Sequence, residues 1–334
     1  MSESIDKAIS DRALELISGE YGAREAIIKN VDGGYSRNRR AIVLLGDEEI
    51  FLKEVDTSLL PDNGEIELSW LKKDYDLISA LKKYIPELVP EWVRLSMDGH
   101  LLILPSYSVD KGWLWTLPTE SVLQEQYINK VVAATRELEA VEFSDELMET
   151  LSLQPYFRDK LANDDSIIRI ITDKNLKKRL IEKYRQLVDQ DDDSGLLKSY
   201  QELLSALESD TILNELKIKT VELGNQMNDC FNHCDVRSDN IAFNKHSGAL
   251  KFVDWNWASF APSKFGSTEF LVDMARRGVD VTPWLNDLNP ELLASMVGLY
   301  VVKSLDKPFS PTNNLRQMQT ETGAVAYHLY SMVQ

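Results

Sequence analysis

Residues 231–259 read FNHCDVRSDNIAFNKHSGALKFVDWNWAS, and the order of polar and apolar runs in this stretch decides the fold. An irregular polar run, His233 to Asn240, precedes a short strand, IAFN, a turn, KHSG, and a return strand, ALKFVDW, which is the pattern of a β-hairpin. The hairpin brings three oxygen-bearing side chains to one end of a two-stranded ribbon: Asp235 and Asn240 from the loop, Asp254 from the strand terminus. Such oxygen ligands suit Mg2+, which takes few protein ligands and fills its octahedron with water and phosphate oxygens. The spacing Asp-x-x-x-x-Asn, with a further Asp fourteen residues on, is what phosphoryl transfer needs. The first Asp receives the acceptor hydroxyl proton, the Asn reaches the metal, and the last Asp holds the metal that bridges the nucleotide phosphates.

HCDVRSDNIAF at 233–243 followed by FVDWNWAS at 252–259 resembles the aminoglycoside phosphotransferase and choline kinase-like family, small-molecule relatives of the protein kinases. LRQMQTETGAVAYHLY at 315–330 is similar to the closing helix of one branch of that family. The resemblance implies that His233 orients the loop through hydrogen bonds, that Arg237 stabilises charge near the γ-phosphate, and that Asn240 and Asp254 bind Mg2+. It also implies ATP or GTP as donor. Two departures stand out: the family usually has Gly where this chain has Cys234, and Gly266 falls where the family commonly has an Asp, with Glu269 or Asp273 on offer nearby.

Working upstream, Gly33, Gly34 and Ser36 lie in a strand-to-strand turn, where glycines let backbone N–H groups approach phosphates. Nineteen residues after Gly34, Lys53 sits in IFLKEV among apolar neighbours. An ammonium on a buried strand needs an anionic partner, and nucleotide phosphates plus a helix carboxylate supply it. Two carboxylates on the following helix are candidates, Glu67 and Asp74, and Glu67 is preferred for reach. Trp113, Trp115 and Trp257 offer indole faces for a ligand, whereas Trp255 is expected in the core.

These motifs lie in a chain of two styles. Up to about residue 107, runs such as EAIIKNV, RAIVLLG, IFLKEV, EWVRLSM and LLILPSY read as strands, with one helix, EIELSWLKKDYDLISALKKY, after the third. From Glu120 onward nearly everything outside the hairpin has helical period. The expectation is an α+β, protein kinase-like, two-lobed fold. Residues 1–107 would form a five-stranded antiparallel nucleotide-binding lobe, and 108–334 a mostly helical catalytic and acceptor-binding lobe.

Composition narrows the partners. The 37 Lys and Arg against 54 Asp and Glu leave a net charge of −17, which repels nucleic acid and anionic membranes and tolerates a cationic acceptor. Two cysteines, Cys230 and Cys234, are too few and too close for a disulfide framework. With His233 and His246 they match no common zinc spacing. No secretory or membrane-spanning run is visible, so a cytoplasmic protein is expected. The expected activity is ATP- or GTP-dependent O-phosphorylation of a small hydroxylated, cationic molecule; a catalytically silent nucleotide-binding module is the alternative.

Overall fold

Strict alternation along the early strands gives the sheet two unlike faces, and that difference builds the first of two units. The structure is a computed structural model and describes residues 8–21, 27–31, 38–46, 48–57, 64–144, 161, 165–190, 195–226, 230–307 and 314–334. The first unit comprises Met1–Leu123, Phe143–Ser152 and Asp239–Asn256. It begins with α1 (Asp11–Tyr21), followed by β1 (Ile27–Asn30), β2 (Arg39–Leu45), β3 (Glu48–Glu54), α2 (Glu65–Leu81), β4 (Arg94–Leu95) and β5 (Leu101–Pro105). The five strands form one antiparallel sheet in the order β1-β2-β3-β5-β4. Five strands with one helix after the third match the expectation from sequence.

Ala41, Val43, Ile50, Leu52, Leu101 and Ile103 point to one face and pack with Ile9, Ala13 and Ile17 of the N-terminal segment. Helix α1 is therefore the cover of that face, a role the charge-and-apolar alternation of the N-terminus did not announce. Ser10 starts it: its hydroxyl accepts the Ala13 N–H at 3.2 Å, an N-cap bond, while its backbone N–H donates to Glu54 Oε2 at 2.9 Å. The opposite face carries Arg40, Phe51, Lys53, Leu102 and Leu104, because antiparallel partners share a face: Arg40 pairs with Lys53, and Lys53 with Leu102.

A second ribbon completes this unit. β6 (Trp113–Leu114) adds to the hairpin of β8 (Ile241–Asn244) and β9 (Leu250–Phe252). The hairpin is the one read from sequence; the short strand β6 is an addition. Lys251 fastens the ribbon by donating to the carbonyls of Pro86 and Val89 at 3.1 and 2.9 Å, and Phe252 N–H donates to Leu88 O at 2.8 Å.

The second unit comprises Gln124–Glu142, Leu153–Ser238 and Trp257–Gln334. Its helices are α3 (Ser121–Glu139, which starts just ahead of the unit), α4 (Ser166–Thr172), α5 (Lys174–Asp189), α6 (Leu197–Glu208), α7 (Asp210–Asn225), α8 (Phe265–Arg276), α9 (Pro290–Lys303) and α10 (Leu315–Met332). Strand β7 (Cys230–Asn232) pairs antiparallel with β10 (Ser259–Ala261). Helix α9 is capped by Asn289, whose side chain accepts the Leu292 N–H at 2.9 Å with Pro290 in the first turn, as its sequence predicts. Helices α9 and α10 cross closely at Gly323, where a Cβ would come within 2.7 Å of Val301. Among the described residues, no helix is long and apolar enough to cross a membrane.

Candidate active site

Within the first unit, the β3 register aims Lys53 at a pair of carboxylates. Its ammonium lies 2.7 Å from Asp254 Oδ1 and 3.4 Å from Asp74 Oδ2. Both ends of the Lys53–Asp74 pair are buried, with side chains 5% and 1% exposed, whereas Asp254 is 30% exposed. Burial alone would strip the Lys53 charge; the fields of Asp254 and Asp74 outweigh it and hold the ammonium above its ordinary pKa. Asp74 is pushed up by its own burial, against the pull of Lys53 and of the Trp255 N–H, which it accepts at 2.8 Å.

That Trp255 contact ties helix α2 to the turn that carries Asp254. The turn is fixed from three sides. Trp255 is fully buried and donates its indole N–H to Phe252 O at 3.0 Å; Val253 N–H donates to Asn240 O at 3.0 Å; and Asp254 adopts φ +66°. A left-handed conformation costs a residue with a Cβ about 1–2 kcal/mol. Here it turns the carboxylate toward Lys53 while the neighbouring backbone stays hydrogen-bonded. Asn240, itself buried, closes the 3-10 turn Ser238–Asn240 at the start of β8.

In the second unit, the loop after β7 carries His233, Asp235 and Arg237. His233 is completely buried. Arg237 lies across Asp235, Nη1 to Oδ1 at 2.9 Å, and its backbone N–H donates to Asp235 O at 3.0 Å. Helix α8 holds the loop from below through two carboxylates. Glu269 Oε2 accepts the Val236 N–H at 3.2 Å; Asp273 Oδ2 accepts the Ser238 N–H at 3.1 Å and the Ser238 hydroxyl at 2.9 Å. Asp273 is in turn clasped by Arg276 and Arg277 at 2.7 and 3.1 Å, which keep it below the usual carboxylate range despite its burial. Glu269 has no such clasp: burial, then the neighbouring charge of Asp235, push it up to about 8.

Solved structures share this architecture over nearly the whole chain. The AMP-bound spectinomycin phosphotransferase APH(9)-Ia aligns with a TM-score of 0.56 at 9% identity, covering 98% of this chain and 100% of that one. Choline kinase LicA from Streptococcus pneumoniae aligns with a TM-score of 0.52 at 11% identity, covering 95% and 99%. The GDP and kanamycin complex of APH(2")-IIia aligns with 0.50 at 13% identity, covering 97% and 98%. The chain has the fold of the small-molecule kinases. No family model and no curated protein sequence matches it.

In this small-molecule kinase fold, the partner of Lys53 corrects the expectation from sequence. Glu67 does not pair with it; Asp74 does. The two acids are seven residues apart on one helix face, so Glu67 stands about 10 Å nearer the N-terminus of α2. Lys53 lies level with the later turn, where Asp74 is buried among Leu71, Leu77 and Ile78. Gly33, Gly34 and Ser36 lie outside the described residues.

The two departures at Cys234 and Gly266 also have physical accounts. Cys234 sits at φ +57°, the conformation a glycine adopts without strain, with its buried sulfur 3.9 Å from Ser259 O. Gly266 donates its N–H to Asn232 Oδ1 at 3.1 Å, and a Cβ there would stand 3.1 Å from Thr135 Cγ2 and 3.2 Å from Asn232 Oδ1. A side chain there would press on Thr135 and Asn232, and Glu269 and Asp273 take up the loop's N–H groups. Sequence reading offered these two as alternatives; the helical spacing of four lets them work together.

Among the described residues, no group of three or more His, Cys, Asp and Glu side chains is arranged to hold a metal ion. Asp254 and Asn240 together offer a carboxylate and a carboxamide oxygen, which fits Mg2+, an ion that takes one or two protein ligands and completes its shell with phosphate and water. Among the described residues, Cys230 and Cys234 form no disulfide.

Proposed function

We propose that this protein is an ATP- or GTP-dependent O-phosphotransferase that moves the γ-phosphoryl group to a hydroxyl of a small cationic molecule, of the aminoglycoside kind. The observation that supports this best is Lys53, an ammonium on a central strand set between a buried helix carboxylate and the partly exposed carboxylate of Asp254. A purely structural ion pair would have no need of the second, solvent-facing acid. Fold likeness to small-molecule kinases supports the same reading, and the net charge of −17 supports a cationic acceptor.

In this reading residues 1–107 form the nucleotide-binding lobe and 108–334 the catalytic and acceptor-binding lobe. Lys53, with Gly33, Gly34 and Ser36 of the preceding turn, holds the nucleotide phosphates, and Asp74 keeps the ammonium in place. Asn240 and Asp254 would hold Mg2+, which when bound neutralises charge on the phosphates. Asp235 orients the acceptor hydroxyl and takes its proton at a carboxylate oxygen as the phosphoryl group passes. Arg237, paired with Asp235, would also stabilise charge on the transferring group. His233 positions the loop from the core.

A nucleotide-consumption screen of the purified protein with Mg2+ against aminoglycosides, macrolides, choline-like amines and sugars tests this. The expected result is acceptor-dependent turnover with at least one cationic class. Asp235→Asn is expected to lower transfer by about 10²–10⁴-fold while nucleotide still binds. Transfer within a few-fold of wild type removes the role given to Asp235. Silence with every acceptor, with nucleotide still bound, leaves the silent module.

A further inference from the structure

The face that presents Lys53 carries a second cation. Arg40 stands directly opposite Lys53 in the β2–β3 ladder, and cross-strand partners project from the same face. It is the second residue of β2. Its side chain is half-buried, loss of hydration lowers its pKa, and the fields of Asp254, Asp239 and Asp74, in that order, oppose that fall. These acids and Lys53 all belong to the first unit. Three carboxylates thus face two cations, and one of the cations is a planar fork with five donors, a shape that matches phosphate oxygens two at a time.

A second observation points to a ligand at this place. Two residues upstream, the Asn38 side chain is only 6% exposed, and among the described residues neither its oxygen nor its nitrogen has a hydrogen-bond partner. A buried carboxamide left unpaired is destabilising. Its backbone carbonyl meets the Arg40 Nη1 at 3.5 Å, so carboxamide and guanidinium belong to one neighbourhood. A phosphate oxygen entering there would accept from the Asn38 Nδ2 and from the guanidinium fork.

We propose that Arg40 binds the terminal phosphates of the nucleotide as a second cation beside Lys53, with the Asn38 carboxamide donating to the same group. The assignment rests on the phosphotransferase reading above and adds to it a residue that the motif pattern of this chain did not single out. The fields of Asp254 and Asp239 reach Arg40, and its cross-strand partner Lys53 contacts Asp254, so Arg40 lies toward the residues proposed to hold Mg2+. As nucleotide enters, its phosphate oxygens would then bond the guanidinium directly, where the acids reach it through their fields.

The test compares affinities for ATP, ADP and adenosine, and for the guanine series, in wild type and in Arg40→Ala and Arg40→Lys, with thermal melting to check folding. Arg40→Ala is expected to weaken triphosphate binding about ten- to a hundredfold and to leave nucleoside binding unchanged. Arg40→Lys, which keeps the charge and loses the fork, recovers part of that loss. The proposal is overturned if Arg40→Ala binds triphosphate within twofold of wild type, or if triphosphate and nucleoside affinities fall together. Should Arg40→Ala fail to fold, Arg40→Lys decides: a threefold or greater loss confined to the triphosphate supports the assignment, and no loss removes it. A wild-type protein that binds no nucleotide at all overturns the phosphotransferase reading itself.

Discussion

Lys53 and Asp235 carry the two halves of the proposed chemistry and are held by opposite means. Lys53 is fixed by charge: its position comes from strand register and its partners are two acids, one buried on a helix and one at a strand end. Asp235 is fixed by backbone: the loop around it hangs from α8 through the N–H groups of Val236 and Ser238, and the side chains of Glu269 and Asp273 act as hooks. The first arrangement is costly to interrupt, because each ion is dry without the other. The second spreads its load over several neutral N–H donors, so removing one hook leaves the rest.

That contrast can be broken most severely at Lys53. Lys53→Met strands the Asp74 carboxylate in a dry site, and a loss of about 3–5 kcal/mol in unfolding free energy by urea titration is expected. Adding Asp74→Leu to the same chain should restore much of it, since an apolar pair of matched volume has no desolvation penalty. If the double variant is no better than the single, the ion pair is not what holds α2 against the sheet.

A smaller effect is expected on the other side. Burial and the charge of Asp235 raise the folded pKa of Glu269 to about 8 from its ordinary 4.5. Between these values the unfolded chain releases the proton that the folded chain keeps, so the contribution of this group is full below about pH 4.5 and is lost as pH rises through 8. Glu269→Gln keeps an acceptor for Val236 and removes the titration. It should flatten the fall in melting temperature between pH 5 and 8 and be more stable than wild type at pH 8. An unchanged slope would show that Glu269 does not titrate in this range.

The smallest change should come at Cys234. Glycine there relieves about 1–2 kcal/mol of left-handed strain and gives up a buried sulfur, so Cys234→Gly is expected within about 1 kcal/mol of wild type. Calorimetry at neutral pH checks it. A loss of several kcal/mol would mean that the sulfur, and not the backbone, sets the loop.

The parts of this molecule legible in its sequence are those written in short-range pattern. The hairpin after Asn240, the β-meander, and the helix after β3 follow from period and punctuation, and Asp235, Asn240 and Asp254 are marked by spacing. What the sequence hid depends on register between distant segments. Glu67 and Asp74 share a helical face, so only the height of Lys53 against α2 separates them. Arg40 looks like one more basic residue in SRNRR until β2 is paired to β3 and sets it opposite Lys53. Strands β7 and β10 are three residues each, too short to show alternation. Helix α1 was readable in principle, since Ile9, Ala13 and Ile17 recur every four residues, yet nothing local says which surface they cover.

The sheet of the first unit is a partition with a greasy side under α1 and a cationic side bearing Arg40 and Lys53. Because side chains alternate with a period of two, adding or deleting one residue in the turn joining β2 to β3 would swap the sides for one strand relative to its neighbour. An ammonium or a guanidinium would then be driven into hydrocarbon, and a leucine or valine turned out to replace it. The length of that turn is therefore as much a part of this protein's chemistry as the identity of the two basic residues it keeps in step.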